Sequence, residues 1–188
     1  MRSAVLLVFM LSSCVAGLVP PPAPPVHWFS LDRGLGANVI GHPPTKITIH
    51  VQPVEAAAHL SDRLVQRISD VEFTVHEDTH WVEAPSRVLE RQLRRVLFEE
   101  RGLIADPLGD SLVLACELVS LEEDRRSAPV ARAILHLELS RGHRMVRAKT
   151  IQQTVSISGP SVEATALALA KVLEKSIAAT ADWILEAR

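Results

Sequence analysis

The spacing of the apolar residues changes along the chain, and these changes limit the folds that the chain can adopt. Apolar residues recur every three or four positions from Leu89 to Leu97 and again from Val162 to Ile184, which is typical of amphipathic helices. In Ile47–Val51 they alternate with polar residues, which is typical of a half-buried strand. Pro85 suits a first helical position and Gly102 suits a helix end. The pattern predicts strands, a helix, more strands and a final helix.

Further segments have the composition of strands and are followed by short polar turns: Arg63–Ile68, Val71–Glu77, Val130–Leu139 and Met145–Ile157. Ser69-Asp70 and Arg141-Gly142-His143 supply hairpin turns between the members of each pair. Ser111–Leu121 is a long apolar strand, and the charged cluster Glu122–Arg126 after it favours a turn. We therefore expect an α+β fold with a mostly antiparallel sheet and the two amphipathic helices packed on one face.

The N-terminal residues have the composition of a signal peptide rather than of a folded domain. Arg2 precedes the apolar segment Ala4–Leu11, which is too short to span a bilayer. Leu11-Ser12-Ser13-Cys14 then resembles the lipobox of bacterial lipoproteins, whose cysteine becomes the lipidated N-terminus. The alternatives are an ordinary signal peptide with a chance cysteine, or an uncleaved anchor. The position of Cys14 directly after the apolar segment favours a lipoprotein, with residues 1–13 as the signal peptide.

A proline-rich segment separates Cys14 from the predicted domain. Val19–Val26 favours polyproline II, which extends by about 3.1 Å per residue. We expect residues 14–26 to form a lipidated N-terminus and tether, and residues 27–188 to form one domain. Two or more acyl chains on Cys14 would anchor the protein stably to a membrane. Ala16, two residues further on, is not Asp, which by resemblance to Gram-negative lipoproteins favours the outer membrane and its periplasmic face.

Charge and cysteine content narrow the chemistry further. The 188 residues carry a formal net charge of −2, which argues against nucleic acid as the main partner. Cys116, the other cysteine, lies in the apolar run that predicts a strand. A buried, unreactive thiol is therefore expected there rather than a nucleophile.

His76-Glu77-Asp78-Thr79-His80 matches the H-E-x-x-H pattern of zinc hydrolases. That chemistry needs a helix, because only a helix brings both histidines to one metal ion beside the glutamate base. The alternation in Val71–Glu77 favours a strand, with Asp78-Thr79 as a turn after it. On a strand, His76 and His80 would lie about 13 Å apart. We therefore expect no metal, no cofactor and no catalytic residues, and a zinc hydrolase using His76, Glu77 and His80 is the least favoured alternative.

Several segments together resemble the ABC-type transport auxiliary lipoproteins, the PqiC/YmbA-like partners of MCE lipid-transport systems. The resemblance rests on a series of motifs that follow the lipobox cysteine: Trp28-Phe29-Ser30-Leu31-Asp32, the strand Ile47–Val51, Leu60–Arg67, Trp81-Val82-Glu83-Ala84-Pro85 before the amphipathic helix, and the long C-terminal helix. It covers nearly the whole chain. It also places Trp81 at a structural position, as an anchor between a strand and the helix that begins at Pro85.

The resemblance implies a role without catalysis. Such a protein is anchored in the outer membrane by its lipid, faces the periplasm and docks the MCE-type protein of its transport system as an adaptor or conduit part. A phospholipid or another hydrophobic substrate and a homo-oligomeric assembly are both compatible with this role. A lipoprotein that binds the cell wall or assembles envelope proteins remains an alternative, since similar small α+β lipoproteins do this.

We predict that Cys14 is the acylated N-terminus of the mature protein, because Leu11-Ser12-Ser13-Cys14 directly follows an apolar core. Radiolabelled fatty acid should enter the wild-type protein and should not enter Cys14→Ala. Equal labelling of the two proteins would contradict the prediction, and Cys116→Ala serves as a control that should label normally.

Overall fold

The computed structural model describes residues 24–33, 43–108 and 111–186. Within these residues, one mixed sheet contains nine strands: β1 (His27–Phe29), β2 (Thr48–Val51), β3 (Glu55–Ala56), β4 (Arg63–Arg67), β5 (Phe73–Trp81), β6 (Ile104–Ala105), β7 (Leu112–Asp124), β8 (Val130–Arg141) and β9 (Arg144–Ser156). The helices are α1 (Pro85–Arg95), which continues into a π-helical turn (Val96–Glu100), and α2 (Val162–Leu185).

The long strand β7 is the centre of the sheet, because both of its edges are hydrogen bonded. On one side it pairs antiparallel with β8, from Leu112↔Arg141 to Asp124↔Val130. On its other side β2, β3 and β4 follow one another and all run parallel to it. The short strands thus behave as one interrupted neighbour of β7, and β5 and β9 extend the sheet beyond β4 and β8.

The expectation of a mostly antiparallel sheet is wrong. Among the described residues, five of the eight strand pairings are parallel, and the antiparallel ones are β4–β5, β7–β8 and β8–β9. The period-two pattern is the same for a parallel and an antiparallel strand, so it did not reveal the direction of pairing. The chain between β4 and β7 includes α1, and this crossover connection lets β7 run parallel to β4. A hairpin can join only antiparallel strands.

The predicted turn at Glu122–Arg126 is also partly wrong. Glu122, Glu123 and Asp124 are the last residues of β7 and all three are buried. Charge alone suggested a solvent-exposed turn, whereas these carboxylates have arginine partners on neighbouring strands and in the following loop. The hairpins β4–β5 and β8–β9 are confirmed, with Gly142 at a positive φ of 58° in the second turn.

The helix ends agree with the sequence signals. Pro85 begins α1, and Gly102 ends the helical segment at a φ of 67°, where Leu103 N–H donates to Leu97 C=O over 3.0 Å. Ser161 caps α2, since its Oγ accepts from Ala164 N–H over 3.1 Å. Within the described residues, neither helix is both long and apolar enough to cross a membrane.

The core lies between α2 and one face of β7, β8 and β9. Alternate residues of β8 are fully buried there: Ala131, Ala133, Leu135, Leu137 and Leu139. The apolar stripe of α2 meets them through residues such as Leu169, Leu173 and Ile177, and α1 packs beside α2. The intervening residues of β8 are half-buried on the opposite face of the sheet.

We predict that Trp81 anchors the junction between β5 and α1. Its indole is 3% exposed, whereas that of Trp28 is 59% exposed. Trp81→Ala should lower the free energy of unfolding by about 3–5 kcal/mol, because it leaves a large cavity in the core. Trp28→Ala is the matched control and should change it little. Urea unfolding measures both, and a Trp81→Ala protein with wild-type stability would rule out the anchor.

Candidate interaction surface

The H-E-x-x-H segment lies entirely within β5, and its two histidines have separate partners. His76 Nε2 lies 3.4 Å from Glu123 Oε2 and 3.5 Å from Gln66 Nε2, whereas His80 Nδ1 lies 2.9 Å from Asp62 Oδ2. In the described part of the chain, no group of three or more His, Cys, Asp or Glu side chains is arranged to hold a metal ion. A strand does not provide the helical face that this motif requires, so the geometry gives no support to a zinc hydrolase.

The turn expected at Asp78-Thr79 does not form, because β5 continues through these residues to Trp81. The pairing with β4 is irregular instead: Val65 faces Val75 and Arg63 faces His80, so two steps along β4 match five along β5. β1 then pairs in parallel with residues 79–81. The rest of β5, from Phe73 to Asp78, has no strand of the described residues on its outer side.

Trp28 on the edge strand β1 is a large exposed aromatic side chain that is held in place by its neighbours. Its ring stacks on that of His80 with 4.9 Å between the centroids and 28° between the planes. His80 Nδ1–H donates to the Asp62 carboxylate over 2.9 Å, and this hydrogen bond lowers the pKa of Asp62. A rigid, solvent-facing indole is the kind of side chain that dominates protein interfaces. We call Trp28, His80 and Asp62 the Trp28 patch.

A second exposed group lies at the turn between β4 and β5. Val71 is 91% exposed, and the nearby apolar residues Ile68, Phe73 and Val75 are also exposed. Phe73 lies against the Arg67 guanidinium, 4.1 Å from its ring centroid, which fixes the aromatic side chain. We call Ile68, Val71, Phe73 and Val75 the hairpin apolar group.

A buried ion-pair cluster holds this hairpin to β7. The Glu122 side chain is fully buried, with Arg67 Nε of β4 2.5 Å and Arg132 Nη1 of β8 3.8 Å from its Oε1. A buried carboxylate without such partners would cost several kcal/mol. The cluster therefore couples β4, β7 and β8 at the end of the sheet where the hairpin turns.

The next two carboxylates of β7 are held in their charged forms. Hydrogen bonds from Arg126 lower the pKa of Asp124 to about 2, against the opposing effect of burial. Burial raises the pKa of Glu123, but hydrogen bonds from Arg125 and Gln66 outweigh it and keep the pKa below its usual value. Glu123 and Asp124 thus stay ionised at neutral pH.

The face of the sheet opposite α2 carries a cleft of about 200 Å³ with acidic walls. Glu55, Glu117 and Glu138 line it together with His136, whose Nε2 lies 3.3 Å from Glu138 Oε1. Three carboxylates create a negative potential that disfavours anionic lipid headgroups. This cleft is therefore a poor candidate for a path for anionic phospholipid.

The residues predicted from sequence fall in different parts of this structure. Cys14 lies outside the described residues, so its acylation stays a prediction. Cys116 is buried as expected, and burial raises the pKa of its thiol to about 12. Trp28 was not predicted from the sequence to be an exposed residue. Strand alternation could have indicated its exposure, because Trp28 and Phe29 are adjacent in a strand and point to opposite faces, so only one of the two can face the core.

Comparisons with known proteins establish the family. The family model described as the ABC-type transport auxiliary lipoprotein component matches residues 29–181. The chain belongs to this family, and the resemblance inferred from sequence is confirmed. It is thus an auxiliary lipoprotein component of a transport system. A comparison with curated protein sequences found no significant match.

Solved structures share the fold. The crystal structure of a Xanthomonas campestris protein of the DUF330 family matches with a TM-score of 0.72 and 22% identity, over 85% of this chain and 95% of that one. A second crystal structure, of an uncharacterized protein, matches with a TM-score of 0.68 and 15% identity, over 86% of this chain and 99% of the other. At these identities the likeness concerns the fold alone.

We predict that the ionised end of β7 makes stability depend on pH through Asp124. Its pKa falls from 3.8 to about 2 on folding, so its stabilising effect is complete above the unfolded value and is lost as the pH falls through about 2. Over this range the unfolding free energy of the wild type should fall by about 1–2 kcal/mol more than that of Asp124→Asn, after allowance for solvent screening.

Urea unfolding of both proteins at neutral and acidic pH measures this difference. Asp70→Asn is the matched control, because Asp70 contacts the same Arg126 but is 85% exposed at its side chain. Its pH dependence should stay close to that of the wild type. Identical pH profiles for Asp124→Asn and the wild type would contradict the prediction.

Proposed function

We propose that the protein is a lipid-anchored adaptor at the periplasmic face of the outer membrane, where it docks the MCE-type protein of a lipid-transport system. Membership of the auxiliary lipoprotein family supports the transport role. The lipobox that ends at Cys14 and the tether after it support the anchor. The Trp28 patch is the observation that carries the docking role.

Trp28 suits a docking site because its side chain would lose little conformational entropy on binding a partner. Its ring is 59% exposed but already stacked on His80, and His80 is fixed by Asp62. Binding through a preorganised aromatic side chain avoids much of the entropy cost of ordering a mobile one. Because the ring sits on an edge strand, a partner can approach it without disturbing the core formed with α2.

The open face of the sheet also favours an adaptor over a lipid path. The acidic cleft on the open sheet face disfavours direct passage of anionic phospholipid across that face. We therefore propose that the domain contributes chiefly by positioning its partner near the membrane.

We predict that Trp28→Ala weakens binding to the MCE-type protein of the same organism by at least about tenfold, as expected for truncation of an aromatic interface residue. Leu167→Ala is the matched control, because Leu167 is 46% exposed on α2, away from β1. Both variants should keep the wild-type unfolding midpoint. Calorimetric titration of the purified proteins measures the affinity.

Unchanged affinity in Trp28→Ala would remove the Trp28 patch from the interface. Absence of any binding by the wild-type protein would contradict the MCE partnership and favour the alternative of a lipoprotein that assembles other envelope components. Sedimentation with inner rather than outer membranes would correct the proposed location alone.

A further inference from the structure

The turn between β4 and β5 presents several apolar side chains to solvent. Val71 is 91% exposed, Phe73 42% and Ile68 39%. The turn itself is well ordered by hydrogen bonds, since Ile68 N–H donates to Glu72 C=O over 3.0 Å and Ser69 Oγ accepts from Glu72 N–H over 3.1 Å. Exposed apolar side chains clustered on one ordered turn are typical of a surface that contacts a partner or a membrane.

The direction of β1 shows which end of the sheet receives the N-terminal segment. β1 runs parallel to β5, with His27 opposite Thr79. β5 runs away from the turn towards α1, so the chain that precedes His27 approaches from the side of the turn. A membrane anchor at the start of that segment would lie at the same end of the molecule as the hairpin apolar group.

The tether between Cys14 and Val26 is long enough for the β4–β5 turn to touch the membrane. At the rise of about 3.1 Å per residue that Val19–Val26 favours as polyproline II, the twelve steps from Cys14 to Val26 would span about 37 Å. The distance along β5 from Thr79 back to Val71 is at most about 26 Å in an extended strand. The tether is therefore long enough to let the turn reach the surface in which Cys14 is anchored.

The charges around the turn give it no excess positive charge that would attract anionic lipid, since Asp70 and Glu72 lie in the turn itself. Arg67 is paired with Glu122, and Arg126 contacts both Asp124 and Asp70. Contact with a bilayer would then rest on burial of the apolar side chains rather than on attraction to anionic lipid. A tether that holds the turn at the surface makes such a weak contact sufficient, since it raises the local concentration of the turn at the membrane.

We propose that the β4–β5 turn rests in the interface of the phospholipid bilayer, with Val71 and Ile68 among the headgroups, and so fixes the orientation of the domain on the membrane. This inference rests on the lipid anchor of the proposed function. The turn is a second attachment point beside the acyl chains. It sets the Trp28 patch at a defined height above the membrane, on the strand next to β5.

A fluorescence experiment on the full, acylated chain tests the contact. Val71→Cys is labelled with an environment-sensitive fluorophore, and the protein is reconstituted in vesicles of phosphatidylethanolamine and phosphatidylglycerol that contain a lipid with a spin-labelled headgroup. Labelling is selective because Cys116 is buried and its thiol pKa is raised to about 12. The substitution is safe for folding since Val71 is almost fully exposed.

Val146→Cys is the matched control. Val146 is 50% exposed on β9, close to the β8–β9 turn at the opposite end of the sheet. We expect a blue shift and strong quenching for the label at position 71, and neither for the label at position 146. Adding Ile68→Asp should reduce the quenching at position 71, because a charged residue opposes insertion of the turn.

The other outcomes separate the inference from the proposal on which it rests. Vesicle-bound protein without quenching at position 71 would overturn the turn contact and leave the anchor intact. Equal quenching at both positions would overturn the defined orientation. Protein that does not stay with the vesicles would overturn the anchor and the contact together. A blue shift that appears only when the MCE-type protein is added would show that a protein surface, not the bilayer, covers the turn.

Discussion

The pairing of β7 along both of its edges is the constraint on which the rest of the structure depends. β8 follows one edge over the full strand, and β2, β3 and β4 share the other. The strand ends in three buried carboxylates, which are tolerable only because arginines on β4, on β8 and in the next loop neutralise them. These ion pairs favour β4 beside β7 at this end, since an apolar strand in its place would leave Glu122 buried with only the more distant Arg132, 3.8 Å away.

The sheet has one face that is covered by α2 and one end, formed by β1, β5 and β4, that is covered less and could bind a partner. α2 closes one face of β7–β9, so residues there serve stability. The β1–β5–β4 end is covered less completely, and Trp28 and Val71 remain exposed there on well-ordered backbone. The proposed adaptor role would use such a division, because a preordered surface outside the core loses less entropy on binding.

The two tryptophans near β5 illustrate how tertiary structure assigns different roles to similar residues. In the β1–β5 pair, Trp28 lies opposite His80, and the next residue, Phe29, lies opposite Trp81. The two tryptophans are therefore one step apart along the paired strands. Successive residues of a strand point to opposite faces, so this single step places one indole in solvent and the other in the core. The H-E-x-x-H match is resolved in the same way, because the strand gives its two histidines separate carboxylate partners.

The helices, their ends and the two hairpins were predictable from local sequence signals, because helical periodicity, Pro85, Gly102 and the turn residues act over a few neighbouring positions. The sequence also indicated the family, through motifs spread along the chain. Three features became evident only in the folded chain: most strand pairings are parallel, Glu122–Asp124 complete β7, and Trp28 rather than Trp81 is exposed. The physical reason is that alternation encodes which face of a strand is apolar, whereas partner, direction and register depend on contacts between residues far apart in the chain.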